Sequence, residues 1–133
     1  MTDAPLQHGG LPFPRSACPI TATLDLIGDR WSLILIRDLL MGKHHYGDFL
    51  ASPEGISTNI LADRLKRLER AGLAAKRPYQ ANPLRYEYHL TEKGRAFQPV
   101  LREICLWAQA HMPGTMTPPP VFLEPPAQSD PAP

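Results

Sequence analysis

Three groups of residues in this chain have side chains that could do chemistry: two cysteines, a short histidine-rich segment and a concentration of basic residues. Cys18 and Cys105 lie far apart in the sequence and belong to no C-x-x-C pair. Neither a disulfide framework nor a thiolate zinc site is therefore indicated. A reactive thiol would need surroundings that lower its pKa, so two reduced cysteines are the expectation.

His44, His45 and Asp48 lie within one short segment, and imidazole and carboxylate groups of this kind can bind a metal ion. Histidines next to basic elements more often contact solvent or phosphate. A metal-responsive protein is therefore kept as an alternative, and the preferred interpretation includes no metal and no cofactor. The sequence has no visible nucleophile–base arrangement or phosphate-binding loop, so an enzyme is not expected.

The basic residues are distributed unevenly along the chain. Between Arg64 and Arg95 there are nine basic and three acidic side chains, a local excess of six positive charges, whereas the net charge of the whole chain is +1. Such a field attracts a polyanion. A solvated charged surface has the same composition, so the elements that carry these residues must decide between the two interpretations.

The length and hydropathy of the chain limit those elements to a single domain. With 133 residues, of which 43% are hydrophobic, the chain has room for one core. Uninterrupted apolar stretches such as Leu33 to Ile36 are far shorter than the roughly 20 residues that cross a membrane. The N-terminus lacks a basic segment followed by an apolar one. We expect a cytoplasmic protein without a membrane partner.

Proline content indicates where the domain begins and ends. Residues 1–17 have no hydrophobic periodicity, and residues 113–133 contain eight prolines. The sequence therefore predicts a flexible N-terminal segment (1–17), a folded domain (18–112) and a disordered Pro-rich tail (113–133). The three consecutive prolines of that tail could alternatively act as a polyproline ligand.

Apolar spacing predicts three helices in the first half of the domain. The spacing between residues 20 and 31 is helical, with an interruption just before Asp29. Asp29 can cap a second helix, from Arg30 to Met41, which is apolar on almost every side and should be the buried centre of the domain. Residues 44–51 are long enough for two turns of a third helix, and a turn containing proline and glycine follows.

A fourth helix is predicted from Ser57 to Ala71. The hydroxyl of Ser57 can accept a hydrogen bond from an amide of the first turn. Three leucines, at positions 61, 65 and 68, form its apolar stripe. Gly72 can supply the left-handed conformation that ends the helix. The polar residues of this helix lie opposite the leucines and should point outward.

After the fourth helix the period of hydrophobicity changes from helical to two. Leu84, Tyr86, Tyr88 and Leu90 alternate with polar residues, which predicts a half-buried strand. An earlier strand is predicted over residues 74–79, and the polar residues between the strands are typical of a turn. The pair is therefore predicted to form a β-hairpin.

The final helix is predicted to run from Thr91 to Met112, with a kink at Pro99, which cannot donate to the carbonyl one turn earlier. Its apolar arc is wider than one small domain needs to cover, so we interpret it as a surface that pairs with a second copy of the chain. Together with the first helix, the residues predicted at this homodimer surface are Ile20, Leu24, Phe97, Leu101, Ile104, Trp107 and Ala108.

This succession of elements predicts a mainly α-helical protein with a β-hairpin wing. Two helices joined by a short turn, the second amphipathic and basic, are typical of a helix-turn-helix, and a hairpin directly after them is typical of a wing. The predicted fold class is a winged helix-turn-helix that is homodimeric through its N-terminal segment and C-terminal helix. Double-stranded DNA is the partner that this geometry favours.

In a helix-turn-helix the first residues of the second helix reach deepest into the major groove. Thr58, Asn59, Ala62 and Asp63 are therefore the candidates for base contact, because their side chains can match base edges or a thymine methyl. Asp63 could instead pair with Arg67 one turn later. The remaining cations of the helix and the wing are expected to contact phosphates and carry little sequence information. The predicted phosphate contacts are Lys66, Arg67, Arg70, Lys76, Arg77 and Arg85.

The same residues resemble the HxlR-type regulators, a family of bacterial winged-helix DNA-binding proteins. The resemblance runs from Cys18 to about Met112 and depends on short motifs in a fixed order and spacing. These motifs are Cys18-Pro19, Gly28 through Trp31, Tyr46 through Phe49, Gly55 through Ser57, Leu61 through Leu65, Leu68, Gly72-Leu73, Arg77, Pro83 and Tyr88 through Gly94. The resemblance implies a homodimer, built from the N-terminal segment and the last helix, that binds a pseudo-palindromic operator, with repression as the expected sign of regulation.

Two positions depart from the family pattern. His45 stands where the family usually has arginine, and Asn59 stands where it often has lysine. Both departures remove a fixed charge, so we expect lower DNA affinity, or an affinity that depends on pH through His45. His45 stays among the candidate DNA contacts, as does Ser57, because the free amides of the helix start can bind phosphate.

Cys18 matches a cysteine that senses oxidants, quinones or other electrophiles in some members of the family. The resemblance therefore implies a redox or small-molecule effector acting through Cys18, and an unreactive thiol is the other interpretation. Cys105 is interpreted as a packing residue. A winged helix used only for protein assembly, with the Pro-rich tail as its ligand, remains an alternative against which the basic wing argues.

Overall fold

The computed structural model describes residues 13–124, and the predictions for residues 1–12 and 125–133 lie outside that range. The described elements are α1 (Pro19–Ile27), α2 (Ser32–Leu40), α3 (Tyr46–Leu50), α4 (Thr58–Arg70), β1 (Ala74–Ala81), β2 (Leu84–Leu90), α5 (Glu92–Arg95), α6 (Gln98–His111) and a 3-10 turn (Pro120–Phe122). This mainly helical architecture with one antiparallel hairpin confirms the predicted winged helix-turn-helix fold, and the homodimer stays a prediction. Within the described range, no helix combines the length and the hydropathy that crossing a membrane requires.

Two side chains cap helices as the sequence predicts. Asp29 accepts hydrogen bonds from the amides of Trp31 and Ser32 (3.0 and 3.1 Å), although α2 begins two residues later than expected. Ser57 accepts a hydrogen bond from the amide of Ile60 (3.2 Å) at the start of α4. Each cap satisfies amides that have no partner inside the helix. The bounds of α4 agree with the prediction to within one residue at each end.

The core lies where α2, α3, α4 and the base of the hairpin meet. Leu61, Leu65 and Leu68 of α4 are buried, as the predicted stripe requires, and Phe49 of α3 belongs to the same cluster. Burying each of these side chains stabilises the fold by roughly 2 kcal/mol. The leucine stripe therefore fixes which face of α4 points outward.

The two strands form an antiparallel hairpin, but the predicted alternation of burial holds only at its base. Tyr88 and Leu90 are buried, whereas Leu84 and Tyr86 are 57% and 38% exposed. The outer half of the hairpin extends beyond the core, so within residues 13–124 the side chains of Leu84 and Tyr86 stay exposed. The prediction of a half-buried strand was therefore wrong for that half.

The predicted final helix is divided into α5 and α6. Pro99 lies in the first turn of α6, where a missing N–H loses no intrahelical hydrogen bond. It therefore begins a helix, and the predicted kink was wrong. Gly94 of α5 approaches the chain so closely that a Cβ at this position would collide with the carbonyl of Leu73.

Residues 113–124 do not form the disordered tail that their prolines predict. Phe122 is 3% exposed and belongs to the core cluster. Gln98 of α6 donates hydrogen bonds to two carbonyls of this C-terminal segment (3.0 and 3.1 Å), and Arg102 donates to a third (3.1 Å). Prolines prevent a regular helix or strand, but they allow an extended segment that side chains of a neighbouring helix hold in place.

Candidate nucleic-acid interface

The outward face of α4 carries the polar residues that its periodicity predicts. Its exposed members are Ser57, Thr58, Asn59, Asp63, Lys66 and Arg70, and its partly buried members are Ala62 and Arg67. Since the leucine stripe on the other side of α4 is buried, these residues face away from the core. The face therefore combines small polar groups in the first half of the helix with cations in the second.

Asp63 differs from the other candidates for base contact because its carboxylate lies close to two arginines. Its carboxylate contacts the guanidinium of Arg64 and lies 3.9 Å from Nη1 of Arg67. The second contact is the pairing at i,i+4 that competes with a role in base contact. The other three candidates in the first half of α4 are consequently better placed to reach a base edge.

Arg64 joins α4 to the turn before α2. Its Nε donates a hydrogen bond to Oδ2 of Asp29 (2.9 Å), and the same carboxylate accepts one from the hydroxyl of Ser32 (2.5 Å). Burial raises the pKa of Asp29, but the hydrogen bonds from Ser32 and Arg64 outweigh burial and lower the pKa to about 2. The ionised carboxylate therefore caps α2 and holds α4 at the same time.

The C-terminal end of α4 is held by residues that follow the hairpin. Gly72 has a φ of +75°, the left-handed conformation that ends the helix, and the amide of Leu73 donates back to its last turn (2.9 Å). Lys93 donates to the carbonyl of Ala71 (2.8 Å), and the hydroxyl of Thr91 donates to the carbonyl of Gly72 (2.6 Å). Lys93 therefore satisfies a helix end, although its charge was counted with the basic cluster.

The wing carries three exposed cations, Lys76, Arg77 and Arg85. The ammonium of Lys76 lies 4.6 Å from the ring centroid of Tyr86, a cation–π distance. Within residues 13–124, neither Arg77 nor Arg85 takes part in a salt bridge, although Arg77 is paired across the hairpin with Glu87. The charges of both arginines are therefore available to a partner.

His45 lies between α3 and the wing. Its Nε2 is 3.3 Å from Oε1 of Glu87, and its ring centroid is 4.5 Å from that of Tyr79. Glu87 also contacts Nε2 of His89 (2.5 Å), and these contacts, first that of His89 and then that of His45, lower the pKa of Glu87. His45 therefore links the wing to the helix-turn-helix, a position that the sequence did not indicate.

The residues of the alternative metal site have other partners. Asp48 accepts hydrogen bonds from the amides of His45 and His44 (3.2 and 3.4 Å), and Nδ1 of His44 lies 2.8 Å from the carbonyl oxygen of Tyr88. In the part of the chain that the structure describes, no group of three or more His, Cys, Asp or Glu side chains is arranged to hold a metal ion. The metal-responsive alternative thus lacks a donor set there.

The two cysteines have opposite surroundings. Cys18 is exposed at the start of α1, where the amide of Thr21, then its hydroxyl, and then the amide of Ile20 lower the pKa of the thiol. Cys105 is partly buried in α6, and burial raises the pKa of its thiol. Because the thiolate is the reactive form, Cys18 has the chemistry that an electrophile requires.

The residues predicted at a dimer surface separate into two groups. The exposed members are Ile20, Leu24, Ile104 and Trp107. Leu101, by contrast, is only 8% exposed and belongs to the core of the protomer, Phe97 packs against that core, and Ala108 is partly buried. The prediction that Leu101 faces a second copy is corrected accordingly, because α6 turns this side inward, and the dimer contacts of the other residues stay a prediction.

The structural role of Arg64 was missed from the sequence, where this residue was counted among the basic residues and within a family motif. The signal was present in the sequence. Arg64 lies about 60° from Leu61 on the helical wheel, on the apolar side of α4. A charged residue at the edge of an apolar stripe indicates a buried or partly buried partner, which here is Asp29.

An amphipathic helix that is displayed on a helical core and followed by a basic hairpin defines the winged helix-turn-helix class of proteins. The model of one such family, described as HxlR-like helix-turn-helix, matches residues 26–116 of this chain. The chain belongs to this family of transcriptional regulators, and the predicted family membership is confirmed.

Individual relatives agree with this assignment. An HTH-type transcriptional regulator from Synechocystis is 40% identical over 84 residues, which are 63% of this chain and 62% of that protein. The redox regulator HypR in its oxidized form superposes with a TM-score of 0.64 and 32% identity over 71% of this chain and 97% of that chain. The reduced form of the transcriptional regulator YodB from Bacillus subtilis superposes with a TM-score of 0.63. It is 30% identical over 76% of this chain and 100% of that chain.

Proposed function

We propose that this protein is a sequence-specific transcriptional regulator, expected to be a repressor, that binds double-stranded DNA as a homodimer. In this proposal α4 enters the major groove and the wing follows the neighbouring backbone. Thr58, Asn59 and Ala62 contact bases, whereas Asp63 mainly orients Arg67. We propose no catalytic role.

The observation that carries this proposal is that most cations on α4 and the wing form no salt bridge within residues 13–124. The cations of α4 and the wing that take part in no salt bridge within residues 13–124 are Lys66, Arg70, Lys76, Arg77 and Arg85. Arg64 and Lys93, by contrast, are used inside the fold. Cations without a salt bridge border the small polar residues in the first half of α4. This arrangement matches protein–DNA interfaces, in which cations contact phosphates and other side chains contact bases.

We further propose that Lys76, His45 and the helix start at Ser57 add phosphate contacts around this edge. The ammonium of Lys76 packs on the ring of Tyr86, and the first amides of α4 lie at the positive end of the helix dipole. His45 adds a charge only when it is protonated, so DNA affinity is expected to increase as the pH falls.

Regulation through Cys18 is the effector mechanism that we propose. The exposed thiol and its lowered pKa support it, and two structural relatives, HypR and YodB, have been solved in redox-related forms. Modification of Cys18 at the start of α1 would alter the contact between α1 and a second protomer. The DNA-binding heads would then move relative to each other.

The experiment compares two variants on genomic fragments that the protein itself retains and on scrambled duplexes of the same length. Arg85→Ala should weaken binding to both by a similar factor and reduce the slope of log affinity against log salt by about one. Asn59→Ala should weaken binding to the retained fragments by about tenfold and leave the scrambled duplexes nearly unaffected. Quantitative gel shifts at several salt concentrations measure both effects.

Arg15→Ala is the control, because Asp25 already neutralises this exposed cation at 2.7 Å. Its affinity for both kinds of duplex should equal that of the unchanged protein. If Asn59→Ala weakens all duplexes equally, sequence is not read at the start of α4. If the unchanged protein retains no fragment even at low salt, the assembly alternative is favoured over DNA binding.

A further inference from the structure

A cavity of about 540 Å³ lies between α2, α6 and the C-terminal segment. Its apolar walls include Leu33 and Ile34 of α2, Cys105 and Ala108 of α6, and Phe122 of the C-terminal segment. None of the residues proposed to contact DNA lines it. Cavities of roughly 300 to 1,000 Å³ with mainly apolar walls are typical of binding sites for small molecules.

The charged groups at the edge of this cavity neutralise one another. Arg37 donates two hydrogen bonds to Glu54 (2.7 and 2.9 Å) and two to Asp38 (2.8 and 2.9 Å). Lys43 donates to the hydroxyl of Ser52 (2.9 Å), which in turn donates to Asp38 (2.7 Å). Two cations thus face two carboxylates. An ionic ligand would have to break these pairs, whereas a neutral ligand leaves them intact.

The apolar walls favour a ligand that contains aromatic rings. Phe122 offers a ring for stacking or for edge contacts, and Met41 and Met116 place thioether side chains along the cavity. Burial keeps Cys105 a neutral thiol, which adds a polarizable sulfur and no charge. Sulfur and aromatic groups of this kind attract the faces and edges of planar rings.

We propose that this cavity is a binding site for a neutral, mainly aromatic small molecule of about two or three rings. The C-terminal segment forms one of its walls, held by Gln98 and Arg102 of α6. The site therefore exists only because the proline-rich residues after α6 fold back on the domain.

The same helix connects this site to the exposed apolar surface. Ile104, Cys105 and Ala108 line the cavity, and Ile104 is also exposed, while Trp107 lies about 100° round α6 from Ala108. A ligand that shifts α6 would consequently shift the surface proposed for dimerisation. Its effect on DNA affinity rests on the proposed function, whereas binding at the cavity does not.

The test uses N-phenyl-1-naphthylamine, a neutral two-ring fluorophore, titrated with the full chain and followed by its fluorescence. We expect saturable binding of one probe molecule per chain. Ala108→Phe places a ring inside the cavity and should lower the affinity for the probe by about tenfold or more. Ala110→Phe makes the same change on an exposed side of α6 and should leave the probe affinity unchanged.

A second variant keeps the test decisive if Ala108→Phe does not fold. Met116 is 79% exposed at the rim of the cavity, so the Met116→Glu variant should fold. The new carboxylate should lower the affinity for the neutral probe several-fold. Unchanged probe affinity in both variants overturns the proposal. If Ala108→Phe instead dissociates a dimer without altering probe affinity, a second copy of the chain occupies the cavity, and the proposal is likewise wrong.

Discussion

Cys18 and Cys105 have the same side chain, and their surroundings alone make them chemically different. The amides of Thr21 and Ile20 stabilise the thiolate of Cys18, whereas Cys105 loses hydration where it is partly buried in α6. The pKa of Cys18 is therefore lowered and that of Cys105 is raised. Because thiolate is the nucleophile, a sensor role is open to Cys18 alone.

The prediction at this scale is a difference in alkylation rate. Two single variants, Cys105→Ser and Cys18→Ser, leave one thiol each, and iodoacetamide should react with Cys18 about ten times faster than with Cys105 near neutral pH. As the pH falls, Cys18 should keep its reactivity below the pH at which an ordinary thiol loses it, because its pKa is lowered. Mass spectrometry over a pH series measures both rates.

The same pair of variants separates reactivity from regulation. Diamide should change DNA affinity in Cys105→Ser, which retains Cys18, and should have no effect in Cys18→Ser. Equal alkylation rates would remove the basis for a sensor. Modification of Cys18 without any change in DNA affinity would leave a reactive thiol that has no regulatory role.

At the scale of the elements, the position of α4 depends on more than its leucine stripe. The stripe fixes which face points outward, and Arg64 joins that helix to Asp29 at the start of α2. Lys93 and Thr91 hold its C-terminal end. The helix proposed to enter DNA is therefore held at its middle and at its C-terminal end by residues that are distant in sequence.

Asp29→Asn tests this connection, because asparagine can still cap α2 but cannot form the ion pair. The pKa of Asp29 is lowered from 3.8 to about 2, so its ionised form stabilises the fold above about pH 4, and this stabilisation is lost as the pH falls toward 2. Near neutral pH the substitution should lower the free energy of unfolding by about 1 kcal/mol. Urea unfolding at several pH values measures the difference.

Glu103→Gln is the matched control, because it removes an ion pair with Arg102 in which the carboxylate is largely exposed. A pair of that kind contributes little stability, so this variant should unfold like the unchanged protein. A pH-independent deficit in Asp29→Asn would mean that the loss comes from packing or capping, and the ion pair would then not be the cause.

At the scale of the whole molecule, the exposed apolar side chains of α1 and α6 form the surface proposed for dimerisation. Ile20, Leu24, Ile104 and Trp107 are exposed, and Trp107 is 60% exposed in the single chain. A surface of this kind is unfavourable in water unless another chain covers it. It is therefore the expected contact between two protomers.

Trp107→Glu should convert a dimer into a monomer. A charge in place of a large aromatic ring at the centre of an interface should weaken self-association by at least about a hundredfold. Sedimentation velocity over a range of concentrations measures the change, and circular dichroism should show an intact fold. Ala110→Glu, an exposed position on another side of α6, should remain dimeric. A dimeric Trp107→Glu would place the interface elsewhere.

Local chemistry determined much of this protein from its sequence. The leucine stripe, the caps at Asp29 and Ser57 and the left-handed position at Gly72 each depend on neighbours within a few residues. These features predicted α4 and its outward face. The alternation after Gly72 predicted the hairpin, and the two together indicated the winged-helix class. Side-chain periodicity was sufficient because a helix buries one face wherever it packs.

Only the tertiary structure decided which residues meet across the chain. It assigned Arg64 to Asp29, turned Leu101 into the core, left Leu84 exposed on the wing and folded Phe122 against α6. None of these outcomes follows from periodicity, because each depends on which element covers a residue and therefore on contacts between distant segments. The cavity beside the C-terminal segment has the same origin, and composition alone predicted a disordered tail there.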